Sequence, residues 1–486
     1  MIMSQERVFL KAQEQLDALE AYVEQAAGSG SRIDQVEREL FGRLLNLGLT
    51  LLTAFVASQG DGDEGSELET ADGRRVRRMP ELHERRYLSI FGELLIRRRV
   101  YAEREKRPVE RAPLDERLGL PAGEFSYVLA DWLQRLCVKE SFHEAVQDLR
   151  EWLGVAPSEA AAERMNQELS KPVERFGVLD EPPPKEMEGE ILVATADGKG
   201  VPMRRPLEER VRRGPRRTKG EKANKKQMAY VGAVYTIDPF RRTADDVVDE
   251  WARRERAAER PKPQQKQVWA EMTHDLEGET SPGRARLFGE MALACHQRDP
   301  QRAKTLVCLM DGERALWEAQ EKWLNRAVCI LDLFHVLERL WQAAHTIHRE
   351  GSREAAQFVE HWLRMLLEGK VGYVIGGLKR LRKEHELKGQ KRRTLSTIIG
   401  YYENNRDHMR YDEYLAAGYP IGSGVAEGAC RHVVKDRMEQ TGMRWTVNGA
   451  QAMLNLRTTY LNGRWNDYIN FHVEAEQAAL YGNLAA

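Results

Sequence analysis

At 486 residues the chain is too long for one ordinary domain, and we expect two to four structural units. It has 42% hydrophobic and 31% charged residues, no uninterrupted apolar run of the ~18 residues that span a membrane, no signal-peptide core, and five cysteines without a CxxC pair. These features argue against a membrane protein, a secreted protein and a zinc finger, and they predict a cytoplasmic protein. The net charge of −1 excludes a protein that is basic as a whole, so nucleic-acid binding would need local basic segments.

The N-terminal helical region is predicted to span residues 1–60. Leucine and valine recur at helical spacing in residues 5–27 and 33–58, and a Gly-Ser-Gly-Ser break separates the two segments. This amphipathic pair is either a hairpin that packs on its own protein or an arm for dimerisation or for binding DNA ends. Residues 61–80 are polar and rich in glycine, which predicts a flexible linker.

A β-hairpin module is predicted over residues 81–122. Two strand-like runs meet at Gly92, and the second run alternates apolar and basic residues towards Tyr101. A Pro-Leu-Asp sequence that ends at Asp115 belongs to the same module.

Residues 123–175 predict three helices, of which the last two have the helix-turn-helix pattern of DNA-binding domains. The first of the two covers Phe142 to Trp152, and the turn contains Gly154. Ser158 can cap the following helix, which carries Arg164. Any compact helical hairpin can have this pattern. Residues 176–190 contain three consecutive prolines and are predicted to be a linker.

From Ile191 onwards strands alternate with helices, which predicts an α/β domain. Its predicted strands are residues 191–196, 228–237, 304–310 and 327–331, with a loop over 260–280. Residues 338–420 have a helical pattern only and are predicted to be an insertion. The α/β domain therefore comprises residues 191–337 and 421–463, and residues 464–486 form a C-terminal tail.

Two stretches concentrate positive charge. The first, residues 204–226, includes Arg212, Arg213, Arg216 and Arg217. The second covers residues 379–393. Each is either a solvated surface or a contact to a phosphate backbone, and we predict that the four arginines of the first stretch bind DNA.

Two buried strands of the α/β domain end on a carboxylate, at Asp197 and at Asp311. A desolvated carboxylate is costly without a metal, a cation or several hydrogen-bond donors, so these two acids are candidate site residues. Glu427 is a third candidate, one turn into a helix that follows Gly-Ser-Gly. Arg431 and Lys435 are its predicted neighbours on the same face and suit phosphate binding. The alternative is an ordinary ion pair between Glu427 and Arg431.

Asp332 and His335 follow another apolar run and border the same region. Asp332 is also a suitable helix N-cap, and His335 a suitable core histidine bonded to backbone. The chemistry that needs two aspartates and a glutamate without a serine or cysteine nucleophile is phosphoryl transfer with two metal ions. Mg²⁺ favours such carboxylate ligands, and Mn²⁺ is an alternative.

Four motifs occur in order along the chain: Thr-Ala-Asp197-Gly-Lys-Gly-Val, Met-Asp311-Gly-Glu-Arg-Ala-Leu-Trp, Asp332-Leu-Phe-His335-Val, and Gly-Ser-Gly-Val-Ala-Glu427. Met-Arg-Trp445 follows the last motif. In these motifs the chain resembles the DDE transposases of bacterial insertion sequences, and within them the ISKra-type group, which is related to Mutator-like transposases.

The resemblance implies an α/β ribonuclease-H-like catalytic domain with a helical insertion, preceded by mainly helical N-terminal DNA-binding modules. It implies that Asp197, Asp311 and Glu427 hold two Mg²⁺ ions, supported by the motif of Asp332 and His335. The expected enzyme binds the terminal inverted repeats of an insertion sequence, cleaves the strand, and joins the freed 3′ end to target DNA. Its expected partners are double-stranded DNA and at least a second protomer, with no membrane. The alternatives are a DNA-binding protein that keeps the fold without catalysis, and a nuclease of the same fold.

Overall fold

The computed structural model describes residues 5–70, 73–105, 107–179, 181–204, 226–254, 259–276, 279–440 and 442–482. The chain divides into two compact units. Unit 1 comprises Met1–Phe176 and Arg464–Ala486, and unit 2 comprises Gly177–Gly463. The four arginines predicted to bind DNA in the first basic stretch, Arg212, Arg213, Arg216 and Arg217, lie outside the described residues.

Unit 1 combines helices with short antiparallel strands. Its elements are α1 (Gln5–Ser29), α2 (Ile33–Ser58), β1 (Glu67–Glu69), β2 (Arg75–Arg78), β3 (His83–Ser89), β4 (Gly92–Arg98), β5 (Tyr101–Ala102), α3 (Pro113–Leu118), α4 (Tyr127–Cys137), α5 (Phe142–Leu153), α6 (Glu159–Ser170), α7 (Val173–Gly177) and α19 (Trp465–Tyr481). The predicted N-terminal helices, the β-hairpin and the three following helices are all present.

Helix α2 is the most apolar helix of unit 1. Within the described residues it alone is long and apolar enough to cross a membrane, with a mean hydropathy of 1.7 over 18 residues, and 11% of that window is buried. One such helix near the N-terminus is weak evidence for a membrane protein. Leu49, Leu52 and Val56 of α2 pack on a cluster that contains the buried Ile96 of β4. One side of the helix therefore contributes to the core of unit 1.

The stretch 61–80 was predicted to be a flexible linker, but it contains two strands. Strand β2 pairs antiparallel with both β1 and β5, and Val76 in its centre is buried. Ion pairs support the strands, including Arg77–Glu67 with 3.2 Å between Nε and Oε1. Because these strands have one buried apolar residue between charged ones, their composition resembles that of a connector.

A buried carboxylate joins the β3–β4 hairpin to α3. Asp115 in the first turn of α3 is 5% exposed. Its carboxylate oxygens lie 2.6 Å from Nη1 of Arg85 and 2.7 Å from Nε of Arg98. Arg85 and Arg98 belong to β3 and β4, so this acid fixes α3 on the hairpin.

Helices α4, α5 and α6 form a compact bundle with capped ends. Ser141 and Glu144 make a capping box at the start of α5, and the Ser158 hydroxyl accepts a bond from the Ala161 N–H at the start of α6. Gly154 ends α5 with φ of 72°, a left-handed conformation that suits glycine. The predicted helices, the turn at Gly154 and the Ser158 cap are thus present, and DNA binding by this bundle stays a prediction.

The C-terminal segment 464–486, predicted to be a tail, contains the 17-residue helix α19. Trp465 in its first turn donates from Nε1 to Asp131 of α4 over 2.6 Å. The buried Tyr468 donates its hydroxyl proton to the Leu169 carbonyl oxygen of α6. The helix is therefore part of unit 1, although it comes last in the chain.

Unit 2 has a central sheet with helices on both faces. Its elements are β6 (Ile191–Pro202), β7 (Lys226–Ile237), α8 (Ala244–Trp251), β8 (Gln264–Met272), β9 (His274–Leu276), β10 (Glu279–Ser281), α9 (Gly283–Arg298), β11 (Thr305–Met310), α10 (Arg314–Trp323), β12 (Val328–Leu331), α11 (Leu333–Ile347), α12 (Arg353–Leu367), α13 (Val371–Glu384), α14 (Gly389–Asn404), α15 (Tyr411–Ala417), α16 (Gly424–Ala429), α17 (Asp436–Met438) and α18 (Val447–Leu461). A π-helical turn, Cys430–Lys435, connects α16 to α17.

The five strands of the central sheet have the order β12-β11-β6-β7-β8. Strands β12, β11 and β6 are mutually parallel, whereas β6, β7 and β8 form an antiparallel meander. The prediction of a loop over 260–280 is wrong, because it contains edge strand β8. Only Val268, Ala270 and Met272 of that strand combine apolar character with burial, and its many polar residues hide the alternation.

The two faces of the sheet bury different side chains. Val193, Val307 and Leu309 face a core shared with α8 and with helices α11 to α15. Leu192, Ala194 and Cys308 face the opposite core with α9 and α10. The helical segment predicted as an insertion therefore packs on the sheet, and its predicted start at residue 338 lies inside α11.

Candidate active site

Asp311 and Asp332 directly follow the parallel strands β11 and β12, and Asp197 lies within the adjacent strand β6, just after its pairing with β11 ends. Ala196 of β6 is the register partner of Met310 of β11, so Asp197 and Asp311 each follow one member of a paired position. The backbone N–H of Asp332, directly after β12, donates to the Met310 carbonyl oxygen over 2.8 Å. Neighbouring strands lie ~4.8 Å apart, so the sheet brings these acids together although they are distant in sequence.

The turn after Asp311 is held by the helical segment. Gly312 has φ of +89°, and a Cβ there would come within 2.8 Å of Leu331, so a larger residue would be both strained and crowded. The hydroxyl of Tyr401 in α14 donates to the Asp311 carbonyl oxygen over 2.6 Å. Oδ1 of Asp311 accepts from the Glu313 N–H over 2.9 Å. The turn is thereby fixed from both sides.

Asp332 is fully buried and accepts four hydrogen bonds. Oδ1 accepts from the Phe334 N–H over 2.9 Å and from the Ser423 N–H over 3.2 Å. Oδ2 lies 3.0 Å from Nδ1 of His335 and also accepts from the Ser423 hydroxyl. These bonds use the roughly four lone-pair positions of a carboxylate. Asp332 caps α11, as predicted, and also holds both His335 and the Gly-Ser-Gly turn in place.

His335 is bonded to the Asp332 side chain, not to backbone. The pKa of His335 is raised to about 9, chiefly by that hydrogen bond and also by the charges of Asp332, Asp311 and Asp197, against the opposing effect of burial. The imidazole is therefore protonated near neutral pH. It places a positive charge among the acids of the three strand ends.

Glu427 lies in α16, directly before the π-helical turn. Burial raises its pKa, and the charges of Asp332 and Asp197 act in the same direction. The ion pair with Arg431 is not formed. Nε of Arg431 lies 3.6 Å from Asp436 instead, since the π turn changes the helical spacing after Cys430.

Asp197 is the most enclosed member of the predicted acidic triad. Burial raises the pKa of its carboxyl group, and the charge of Asp311 raises it further. Hydrogen bonds from the Cys430 thiol and from the Gly198 N–H oppose the rise, the second over 2.6 Å. Cys430 belongs to the π-helical turn, so this turn contacts Asp197. Helix α16, which carries Glu427, directly precedes the turn.

The π-helical turn is supported by a side chain from α18. Nε of Arg457 donates to the His432 carbonyl oxygen over 2.6 Å. A π turn leaves backbone groups without their usual helical partners, and the arginine supplies one. The position of Cys430 next to Asp197 thus depends on a distant helix.

One group in the described part of the chain has the geometry to hold a metal ion. Ligand atoms of Asp332, His335 and Glu427 all lie within 4.8 Å of one another. The search of the described residues finds no comparable group that contains Asp197 or Asp311. The predicted triad is therefore divided: Glu427 converges with the Asp332–His335 motif, and the two aspartates stand together at neighbouring strand ends.

The remaining predicted site residues that the structure describes are surface cations. Arg431 and Lys435 lie exposed on the π-helical turn. Arg164 is exposed on α6 of unit 1.

Several residues at the site were missed by reasoning from sequence. Ser423, Tyr401 and Cys430 contact site residues through a hydroxyl or a thiol. Ser423 had a signal, because it stands between two glycines that precede Glu427. Tyr401 and Cys430 had none, since their contacts depend on how α14 and the π turn pack.

No protein-family profile matches the chain, and no curated protein matches its sequence. The functional conclusion therefore depends on the residues of the site and their arrangement.

Proposed function

We propose that the chain is a DNA transposase of the DDE type, which cleaves the ends of an insertion sequence and joins them to target DNA. The observation that carries the proposal concerns acids from four separate stretches: Asp197, Asp311, Asp332 and Glu427. Their charges influence one another, because the pKa of Asp197 responds to Asp311 and the pKa of Glu427 responds to Asp332 and Asp197. Such a cluster of like charges needs a cation.

The catalytic domain is proposed to be ribonuclease-H-like. Support comes from the strand order, in which an antiparallel meander of β6, β7 and β8 continues into parallel strands β11 and β12. Helices cover both faces of this sheet. The third acid of the triad follows on a helix after the helical segment, in agreement with the order of the motifs in sequence.

We propose that Asp197, Asp311 and Glu427 hold two Mg²⁺ ions. Carboxylate oxygens are the ligands that Mg²⁺ prefers, and none of the three acids forms an ion pair with a lysine or arginine in the described residues. Bound ions of this kind make the attacking oxygen more reactive and stabilise the leaving oxygen of a phosphodiester.

Asp332 and His335 act as a positioning pair in this proposal. All acceptor sites of Asp332 are used within the protein, so its function is to orient His335 and the turn before Glu427. The protonated His335 keeps the neighbouring acids ionised and can face a phosphate oxygen of the substrate.

A basic surface on α13 and α14 supports DNA as the substrate. Six exposed basic side chains lie at the end of α13, in the connection to α14, and at the start of α14: Arg380, Lys383, Lys388, Lys391, Arg392 and Arg393. Within the described residues none of these six forms a salt bridge. Phosphate backbones are attracted by such local clusters even when the whole protein is nearly neutral.

The test is strand cleavage and joining with duplexes that carry the sequences flanking the gene for this chain. We expect Mg²⁺-dependent nicks at the element end, followed by joined products. Asp311→Asn removes one ionised ligand and should lower the cleavage rate about a thousandfold or more, because metal stabilisation of the transition state is worth several kcal/mol. Undiminished cleavage by Asp311→Asn would rule the proposal out.

A nuclease of the same fold would give nicks without joined products in this assay, and a DNA-binding protein without catalysis would give neither. The cluster of acids around Asp197 favours the catalytic alternatives over the last one, since DNA binding alone has no need of neighbouring carboxylates.

A further inference from the structure

A cavity of about 470 Å³ lies in unit 2 beside the candidate active site. Its walls come from the end of β7, from α8, from the start of α11, and from residues 418–425. Aromatic rings contribute much of the lining: Tyr235, Phe240, Trp251, Phe334 and Tyr419. The cavity therefore offers flat apolar surfaces, which suit a planar ligand.

Phe334 connects the cavity to the site. It lies between Asp332 and His335 in sequence, it lines the cavity, and it is 47% exposed. Gly422 keeps the opposite wall close, because a Cβ there would come within 2.9 Å of the Phe334 ring. Its neighbour Ser423 is the residue bonded to Asp332. The cavity is therefore lined by Phe334 and Gly422, which are sequence neighbours of site residues.

Arg242 provides a polar group without a partner. Its Nε is buried and has no hydrogen-bond partner among the described residues, and its guanidinium carbon lies 4.9 Å from the centre of the Phe240 ring. A buried donor that is not used costs free energy, so it points to a ligand that supplies an acceptor. The carbonyl and ring nitrogen atoms of nucleobases are such acceptors.

The walls around Phe240 and Arg242 are fixed by close backbone contacts. The Phe240 N–H donates to the Gly418 carbonyl oxygen over 2.9 Å, and the Arg242 N–H donates to the Leu415 carbonyl oxygen over 3.2 Å. Gly418 has φ of +79°, and a Cβ there would lie 2.8 Å from the Phe240 nitrogen. The cavity is therefore built by the fold and does not depend on side-chain rotations alone.

The charges of the lining argue against a free phosphate as the ligand. Asp238 and Glu250 both line the cavity. Asp238 accepts a bond from Gln264 over 3.1 Å, and Glu250 is paired with Arg260. These acids leave the cavity close to neutral and unfavourable to an anion, whereas a neutral aromatic base is accommodated.

We propose that the cavity receives one unstacked nucleobase of the DNA strand that lies at the acids, stacked against Phe334 and hydrogen-bonded to Arg242. This inference rests on the proposed function, since it takes the DNA strand as the molecule at the site. Base extrusion costs least at a distorted or single-stranded position, and stacking on an aromatic side chain offsets the cost.

The experiment measures DNA affinity with Asp311→Asn protein, so that binding is separated from cleavage. The duplex carries the flanking sequence of the gene, and a single abasic nucleotide is placed in turn at each of about three positions on either side of the cleaved bond. We compare Phe334→Ala and Arg242→Met with Tyr373→Ala. Tyr373 is a matched control because it is an aromatic residue of unit 2 that is 75% exposed and does not line the cavity.

We expect Phe334→Ala to weaken binding of the intact duplex about 5- to 100-fold. When the abasic nucleotide replaces the base that enters the cavity, the same substitution should not weaken binding. Arg242→Met should show the same dependence on position, with unchanged melting temperature. If each of the two variants loses the same affinity at every abasic position as on the intact duplex, no base occupies the cavity and the proposal fails. Failure of the proposed function would give a different result. The unaltered protein would then not cleave the intact duplex, even if the effect of Phe334→Ala on affinity still depended on the abasic position.

Discussion

Two sets of carboxylates in this protein have opposite surroundings. In unit 1, Asp115 lies between Arg85 and Arg98, which neutralise it. In unit 2, Asp197 and Asp311 lie beside each other, and neither forms an ion pair with a lysine or arginine in the described residues. Loss of one partner from a buried ion pair destabilises a fold, whereas half-buried acids beside one another repel and are suited to binding a cation.

The buried pair Arg298–Glu188 extends this contrast within unit 2. The side chains of Arg298 and Glu188 are 1% and 2% exposed, with 2.6 Å between the ionic atoms. Structural acids of unit 2 therefore also come with arginines. The strand ends at Asp197 and Asp311 are the exception, and this exception is what identifies the site.

The largest expected effect on stability comes from the structural acid. Asp115→Ala should lower the free energy of unfolding of unit 1 by about 3–5 kcal/mol, because Arg98 would lose its carboxylate partner and Arg85 would keep only its bonds to the Pro121 and Gly123 carbonyl oxygens. The change should leave the Mg²⁺-dependent chemistry of unit 2 intact in the fraction that remains folded. Denaturant unfolding followed by circular dichroism measures the effect. A loss below about 1 kcal/mol would show that the two arginines find water or other partners.

His335 should give the metal-free protein a characteristic pH dependence. Its pKa rises from 6.5 to about 9 on folding, so its stabilisation is complete below pH 6.5 and is lost as the pH rises to 9. The shift corresponds to roughly 3 kcal/mol. His335→Gln should flatten this part of the stability curve, which thermal or denaturant unfolding across the pH range would reveal. Asp332→Asn should lower the histidine pKa, as NMR titration of the ring protons can show.

The exposed basic surface on α13 and α14 should contribute to DNA affinity through counterion release. Replacing Lys391, Arg392 and Arg393 by glutamine should reduce the slope of log K against log salt by about 0.9 for each lost phosphate contact. As a control, Arg314→Gln removes an exposed cation of the same unit that is paired with Glu318. An unchanged slope in the triple variant would assign the surface to solvent. The same measurement on Arg212, Arg213, Arg216 and Arg217 tests the prediction made for the first basic stretch.

The smallest expected effect is a gain in stability at the site itself. Asp197→Asn removes a half-buried charge that the charge of Asp311 opposes, and it retains an acceptor for the Gly198 N–H. The metal-free variant should melt about 1–3 °C higher than the unaltered protein. Adding Mg²⁺ should stabilise the unaltered protein more than the variant. A lower melting temperature for the metal-free variant would mean that the Asp197 charge is already compensated.

The sequence by itself determined most local structure in this protein. Helical spacing predicted α1, α2 and the bundle of α4 to α6, and the Ser158 cap follows from local backbone geometry. The apolar run before Asp311 predicted the end of β11, whereas the run before Asp197 predicted the start of β6 but not its continuation to Pro202. These features depend on residues a few positions apart, so the sequence pattern records them directly.

Only the tertiary structure decided how the site is assembled. The order of the strands placed Asp332 beside Asp311, and the Gly-Ser-Gly turn brought Ser423 to Asp332. The π turn moved Arg431 away from Glu427 and set Cys430 on Asp197. Edge strand β8 and the strands within 61–80 were missed for a related reason, since short or half-buried strands gain their stability from neighbours. Such contacts join residues that are far apart along the chain, and no local pattern of residues encodes them.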